Sequence, residues 1–195
     1  MMPQLAIAAL LTTVVAGAIV GAMVWQISAP RSRASLLLLA AFGLAMSPSA
    51  YFLVRVPIIQ RLEPFLLGVT ADQPNGTVGS AVRDGARLAY APLTEEPAKL
   101  LPWIVLLFAG IDLKPTKERA AGLALVIGGS FALGEIWLVA YLIGLQPDPA
   151  LATLPWYAFG GFMGERLMTC FSHALFALPT VVLARKGRGY AFAGL

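Results

Sequence analysis

Charge is what this sequence is short of. Asp, Glu, Lys and Arg make up 12% of its 195 residues, about half the share usual in a soluble domain. The hydrophobic residues reach 58%, so an ordinary soluble globule is excluded. Cysteine is nearly absent: Cys170 stands alone in an apolar stretch, which excludes a disulfide framework and a CxxC metal pair. Histidine is reduced to His173, so no HExxH zinc helix is present. The net charge of +4 calls for no nucleic-acid partner and reads as loop charge that orients membrane helices. A basic start is also missing. The first apolar run, Leu5–Ile27, is about twice the length of a signal peptide's hydrophobic region, and a retained first span is expected.

The apolar residues are gathered into runs long enough to cross a bilayer, each near the roughly 20 residues a span needs. The expected spans are Leu5–Ile27, Ser35–Val54, Gly85–Ile111, Ala120–Leu145 and Leu154–Ala184. They imply one integral membrane domain over 1–195, an all-α bundle of about five transmembrane helices, with its chemistry in a core over 85–185. Gly189–Leu195 resembles the opening of a sixth apolar segment. Basic residues sit in the first loop (Arg31, Arg33), the third (Lys114, Lys117, Arg119) and after the fifth span (Arg185, Lys186, Arg188). Positive loops face the cytoplasm, so the expected site is the cytoplasmic membrane, N-terminus outside and C-terminus inside. The second loop, Arg55 to Asp84, is external by this pattern although it carries Arg55, Arg61 and Arg83. Its amphipathic part, Val56–Thr70, suits an interfacial helix, and Asp72–Ser80, with Pro74, Asn75 and Gly76, suits a loop. Gly17/Gly21, Ser130/Gly134 and Gly160/Gly164 are small-residue pairs that let helices approach closely.

Against this apolar background the charges inside the spans stand out: Glu95, Glu96, Lys99, Glu135, Glu165, Arg166 and His173. Each costs at least about 2.5–3.5 kcal/mol at membrane depth, so the group is the functional signal. At about 1.5 Å rise per residue, Glu95 lies about 25 Å above Asp112, Glu135 about 24 Å above Arg119, Lys99 near 20 Å and His173 about 18 Å above Arg185. Three helices thus bring Glu95/Glu96, Glu135 and His173 to similar depth, whereas Glu165 and Arg166, at about 28–30 Å, belong near the outer mouth. Glu95 and Lys99 are spaced as an i,i+4 ion pair, with Glu96 turned about 100° away and free to face a cavity. Pro92, Pro97 and Pro102 each remove an amide hydrogen from the same helix. His173 follows Arg166 by seven residues, on the same face.

Several readings fit these residues. The Glu95–Lys99 pair can pin helix packing, a lone Glu135 can be a protonated group bonded to a carbonyl, and a lone His173 can be a satisfied packing residue. Together they can also activate water, with a carboxylate as general base and His or Glu stabilising an oxyanion. A divalent metal could use the same donors, but no cofactor is expected. The rival functions are a non-catalytic scaffold or immunity-type protein on the same fold, and a small proton-coupled carrier using the buried acids as a relay.

Three motifs carry a family resemblance. Glu95-Glu-Pro-Ala-Lys fits an EExxK signature, Phe131-Ala-Leu-Gly-Glu an FAxxE signature, and the helix around Ser172-His173 a third. About half the chain, Gly85–Arg185, resembles the PrsW branch of the CAAX-protease and bacteriocin-processing clan, glutamic-type intramembrane proteases, with kinship to YhfC-like members. The resemblance implies catalytic roles for Glu95, Glu96, Glu135 and His173, accessory roles for Lys99 and Arg166, and a membrane-anchored protein or peptide substrate met within the lipid bilayer. Ile136 stands where PrsW proteins carry Asn.

Overall fold

The computed structural model describes residues 2–27, 33–70, 78–117, 119–146 and 148–194. Seven α-helices run through the described residues: α1 (Pro3–Ile27), α2 (Arg33–Ala50), α3 (Val56–Thr70), α4 (Val78–Phe108), α5 (Ala120–Gly144), the short α6 (Pro149–Thr153) and α7 (Gly160–Leu183). The protein is an all-α membrane bundle. Pro3–Gln26, Arg33–Leu62, Ala120–Gly144 and Trp156–Lys186 are long and apolar enough to cross a bilayer. α4 has the length, 31 residues, but its charges keep it below that hydropathy. The expected Asp72–Ser80 loop falls on residues outside the described ones as far as 77, and α4 already begins at Val78.

α5 is the hub of the bundle. Its sequence is apolar on every side, the pattern of a helix surrounded by protein, and α7, α2 and α1 all pack around it. Small residues make those approaches possible. Gly128 lies directly against the α7 backbone at His173 and Ala174, and Gly134 against the carbonyl of Leu44 in α2. The close approach expected of Gly17/Gly21 and Gly160/Gly164 is not met among the described residues, since none of these lies within 4 Å of where their side chains would begin. Those glycines border open space, Gly17 and Gly21 beside α2 and α5 and Gly164 beside α1. α1 packs instead through Leu5, Ala8, Ala9 and Ala16, all fully buried with Ile136, Ala140 and Cys170.

α2 and α3 form one continuous rod joined by a π-helical turn over Tyr51–Arg55, in which the Val56 amide donates to the Tyr51 carbonyl. Pro57 follows and lacks the amide that would continue the regular ladder. A wide turn holds an extra residue and so shifts the following face by roughly 100°. The expected boundary at Arg55 between a span and an external loop is therefore corrected: Arg55 is inside the rod. The amphipathic helix Val56–Thr70 has the limits expected of it.

The two ends of the motif-bearing helices are closed locally. α4 ends at Phe108, and the turn after it contains Gly110, whose φ of +88° suits glycine, while the Ile111 amide donates to Leu106 and the Gly110 amide to Leu107. Trp103, fully buried, donates from Nε1 to the Leu113 carbonyl at 3.1 Å and ties the following loop to α4. After α7, Arg188–Gly194 winds into a 3₁₀ segment that packs against α7 and α4. Ala191 is buried and Phe192 lies 5.6 Å from the Phe108 ring, so the described part of this stretch caps the bundle.

Candidate functional site

Glu135 is the centre of the charged cluster. α5 offers it as its only carboxylate, and α7 supplies two partners. Arg166 donates from Nη1 to Oε1 at 2.7 Å, and His173 Nε2 lies 2.9 Å from Oε2. A carboxylate only accepts, so His173 carries its hydrogen on Nε2, and the bond fixes ring and tautomer together. Nδ1 of His173 is buried without a protein partner. The seven-residue spacing read from the sequence is realised here, because both α7 side chains converge on one carboxylate. The expected placement of Arg166 near the outer mouth is corrected. Arg166 is buried, and its guanidinium reaches Glu135 inside the bundle. Only Glu165, whose side chain is 69% exposed, keeps the outer position, while it also accepts from Arg166 Nη2.

On α4 the pairing differs from the expected i,i+4 bridge. Lys99 Nζ donates to Glu96 Oε1 at 2.6 Å, an i,i+3 pair, and Glu95 Oε1 accepts from Arg55 Nη1 at 3.0 Å. Glu96 is thus neither free nor left over. The physical reason is the π turn of the α2–α3 rod, which presents Arg55 to α4 and gives Glu95 a cation from another helix. Arg55 is the site residue that sequence reasoning missed. Its signal was there as an arginine among apolar residues just before Pro57, but no spacing rule relates it to Glu95 forty residues away.

Phe131 links the two halves of the cluster. Its ring packs edge-on against His173 at 5.3 Å and lies 5.8 Å from Lys99 Nζ. Phe176 approaches the same ammonium at 6.0 Å, both distances within cation–π range. Lys99 is 1% exposed, so its stem and charge are satisfied inside the bundle by Glu96 and two ring faces. Glu95 lies within electrostatic range of Glu135 and His173, and Lys99 within range of Glu95 and Glu135. Of the three motif-bearing helices, α5 and α7 pack closely on each other, whereas α4 leans chiefly on α2. A groove of about 320 Å³ remains between α4 and α7, lined by Pro92, Glu96, Leu100, Phe176 and Thr180. Leu93, Leu175 and Phe176 are exposed.

Of the expected site residues, Glu135, His173 and Arg166 form one hydrogen-bonded group, and Glu96 and Lys99 a second. Glu95 joins Arg55. Among the described residues no three His, Cys, Asp or Glu side chains are grouped as a metal set. Comparison with family models, with curated proteins and with solved structures finds no match for this chain.

Proposed function

We propose that this protein is an intramembrane endopeptidase that hydrolyses a peptide bond of a membrane-anchored protein or peptide with glutamate-activated water. The observation that carries the proposal is a carboxylate, Glu96, on the wall of a groove, joined through Lys99 and Phe131 to a histidine whose tautomer Glu135 holds. In this reading Glu96 takes a proton from water as the oxygen attacks the scissile carbonyl carbon. In the same reading His173 stabilises the oxyanion, a role that preorganised donors fill in acyl transfer, by taking up a second proton on Nδ1, the nitrogen with no protein partner, during the reaction. Glu96 then returns its proton to the amide nitrogen as the carbon–nitrogen bond breaks. Glu135 orients the His173 ring through its hydrogen bond to Nε2, and Arg166 holds Glu135 in turn, as partners of other reactive imidazoles do. The motif resemblance to the PrsW branch supports the same reaction class, and the reading assigns no cofactor. Its orientation is N-terminus outside and C-terminus in the cytoplasm, from the basic first, third and C-terminal segments.

One observation favours a second reading, a non-catalytic scaffold. Glu95, Glu96 and Glu135 each have a cation of their own, Arg55, Lys99 and Arg166, as a bundle held by polar pairs requires. Purified protein in detergent, incubated with fluorescent single-span membrane peptides with and without a chelator, separates the two. Glu96→Gln keeps the shape but removes the base, so cleavage falls at least about 100-fold, and His173→Ala falls comparably. Glu165→Gln stays close to wild type. If Glu96→Gln and His173→Ala both cleave like wild type, the protease reading fails and the scaffold replaces it.

A further inference from the structure

Gly17 and Gly21 are on the face of α1 that the bundle leaves uncovered, and the space beside them is shaped. Gly17, Val20, Gly21, Val24 and Trp25 repeat at i, i+3, i+4, i+7 and i+8, one stripe of a helix. With Leu36, Leu37 and Ala40 of α2 as the opposite wall and α5 as the floor, they bound a groove of about 300 Å³. The stripe is about 12 Å long at the rise of an α-helix. Its floor is apolar in effect, since the Ser130 hydroxyl is already bonded to the Val126 carbonyl. One end is different. Arg33, the first residue of α2, lines the groove there and stacks over Trp25 at 3.3 Å. Among the described residues no carboxylate pairs with Arg33, and its Nε is buried without a partner.

We propose that this groove holds one anionic phospholipid, with an acyl chain along Gly17 and Gly21 and its phosphate at Arg33. Charge complementarity selects the headgroup. Arg33 has no carboxylate partner among the described residues, and its planar fork matches phosphate oxygens. The first-turn amides of α2 add a positive field at the same point. Trp25 and Arg33 sit at the end of their spans, where aromatic and basic residues meet lipid headgroups. The width of the groove selects the tail. A second helix, about 10–12 Å across with its side chains, does not enter a notch of this size, whereas one acyl chain does, and the glycines supply the depth.

The test uses the full chain reconstituted in vesicles of phosphatidylcholine and phosphatidylglycerol at 3:1, extracted gently and weighed by native mass spectrometry. Wild type retains one lipid per chain, with the phosphatidylglycerol-to-phosphatidylcholine ratio raised about five-fold over that of the vesicle, as one basic residue at an anionic headgroup provides. Arg33→Gln loses that enrichment and retains either lipid according to its abundance. Gly17→Leu with Gly21→Leu fills the groove and removes the retained lipid of both kinds. Thermal unfolding in lipid-free detergent checks that this variant folds, and should it not fold, Arg33→Gln decides alone. Retention in the 3:1 mixing ratio by wild type overturns the proposal, as does unchanged retention in the leucine variant. A dimer of chains that Gly21→Leu abolishes would assign the groove to a second copy and also overturn it.

Discussion

Replacing Gly128 with alanine adds one methyl group where α5 and α7 touch. The methyl would overlap the backbone of His173 and Ala174, and a backbone has no rotamer into which to withdraw. Overpacking of a tight contact costs about 1–3 kcal/mol, and a backbone neighbour places this substitution at the top of that range. Alanine returns about 1 kcal/mol of helix propensity over glycine, leaving a net loss of about 2 kcal/mol. For a chain of this length each kcal/mol lowers Tm by about 2–4 °C, so unfolding in detergent, followed by far-ultraviolet circular dichroism, should begin about 4–8 °C lower. Parting the helices here also pulls His173 away from Glu135, now 2.9 Å apart, and cleavage should fall with stability. Gly164→Ala is the control, because nothing lies within 4 Å of its added methyl and its Tm should hold or rise. A Gly128→Ala protein as stable as the Gly164→Ala protein would refute the close contact as the determinant of this interface.

Three further outcomes follow from the pairings. A double-mutant cycle of Arg55→Met and Glu95→Gln should give a coupling of about 1–2 kcal/mol in thermal unfolding, above an exposed pair and below a fully buried one, because these side chains are 28% and 22% exposed. Additive effects would remove Arg55 from the site. Arg166→Gln strips Glu135 of its charged partner inside the bundle and should cost about 3–5 kcal/mol, whereas Glu165→Gln, on a largely exposed side chain, should cost less than about 1 kcal/mol; equal Tm values for the two variants would contradict the geometry. A reporter fused after Arg188 should report cytoplasm, and activity of a reporter that works only outside the membrane would reverse the orientation.

The all-helical bundle was legible because long apolar runs have one solution in a bilayer, where every amide must be bonded within its own segment. Within the site, the relations that follow from helical periodicity were legible too, as with Arg166 and His173 on one face of α7. What periodicity does not contain was missed. The partners of Glu95 and Glu96 depend on a π turn in another helix, and a single extra residue in a turn leaves no mark on hydropathy. Two spacings on α4 compete for Lys99, and the rotamer of a four-carbon stem decides for Glu96 over Glu95. Glycine pairs were ambiguous for a related reason. The same spacing that lets helices touch at Gly134 leaves a groove at Gly17 and Gly21, and only the position of the neighbouring helix separates the cases.

The dependence of Glu135 on α7 has a consequence for biogenesis. Its partners follow it by 31 and 38 residues along the chain, so at about 5–20 residues per second the ribosome takes several seconds to deliver them. α5 reaches the translocon first, carrying a carboxylate whose insertion costs about 2.5–3.5 kcal/mol. Its many Leu, Ile, Val and Phe residues each return about 0.3–0.6 kcal/mol, so the helix enters the bilayer without waiting. Its hydrogen-bonded cation, Arg166, comes only when α7 arrives and docks. A nascent chain stalled before Arg166 therefore exposes an unneutralised acid in lipid, a mark by which membrane quality control can recognise an unfinished protein.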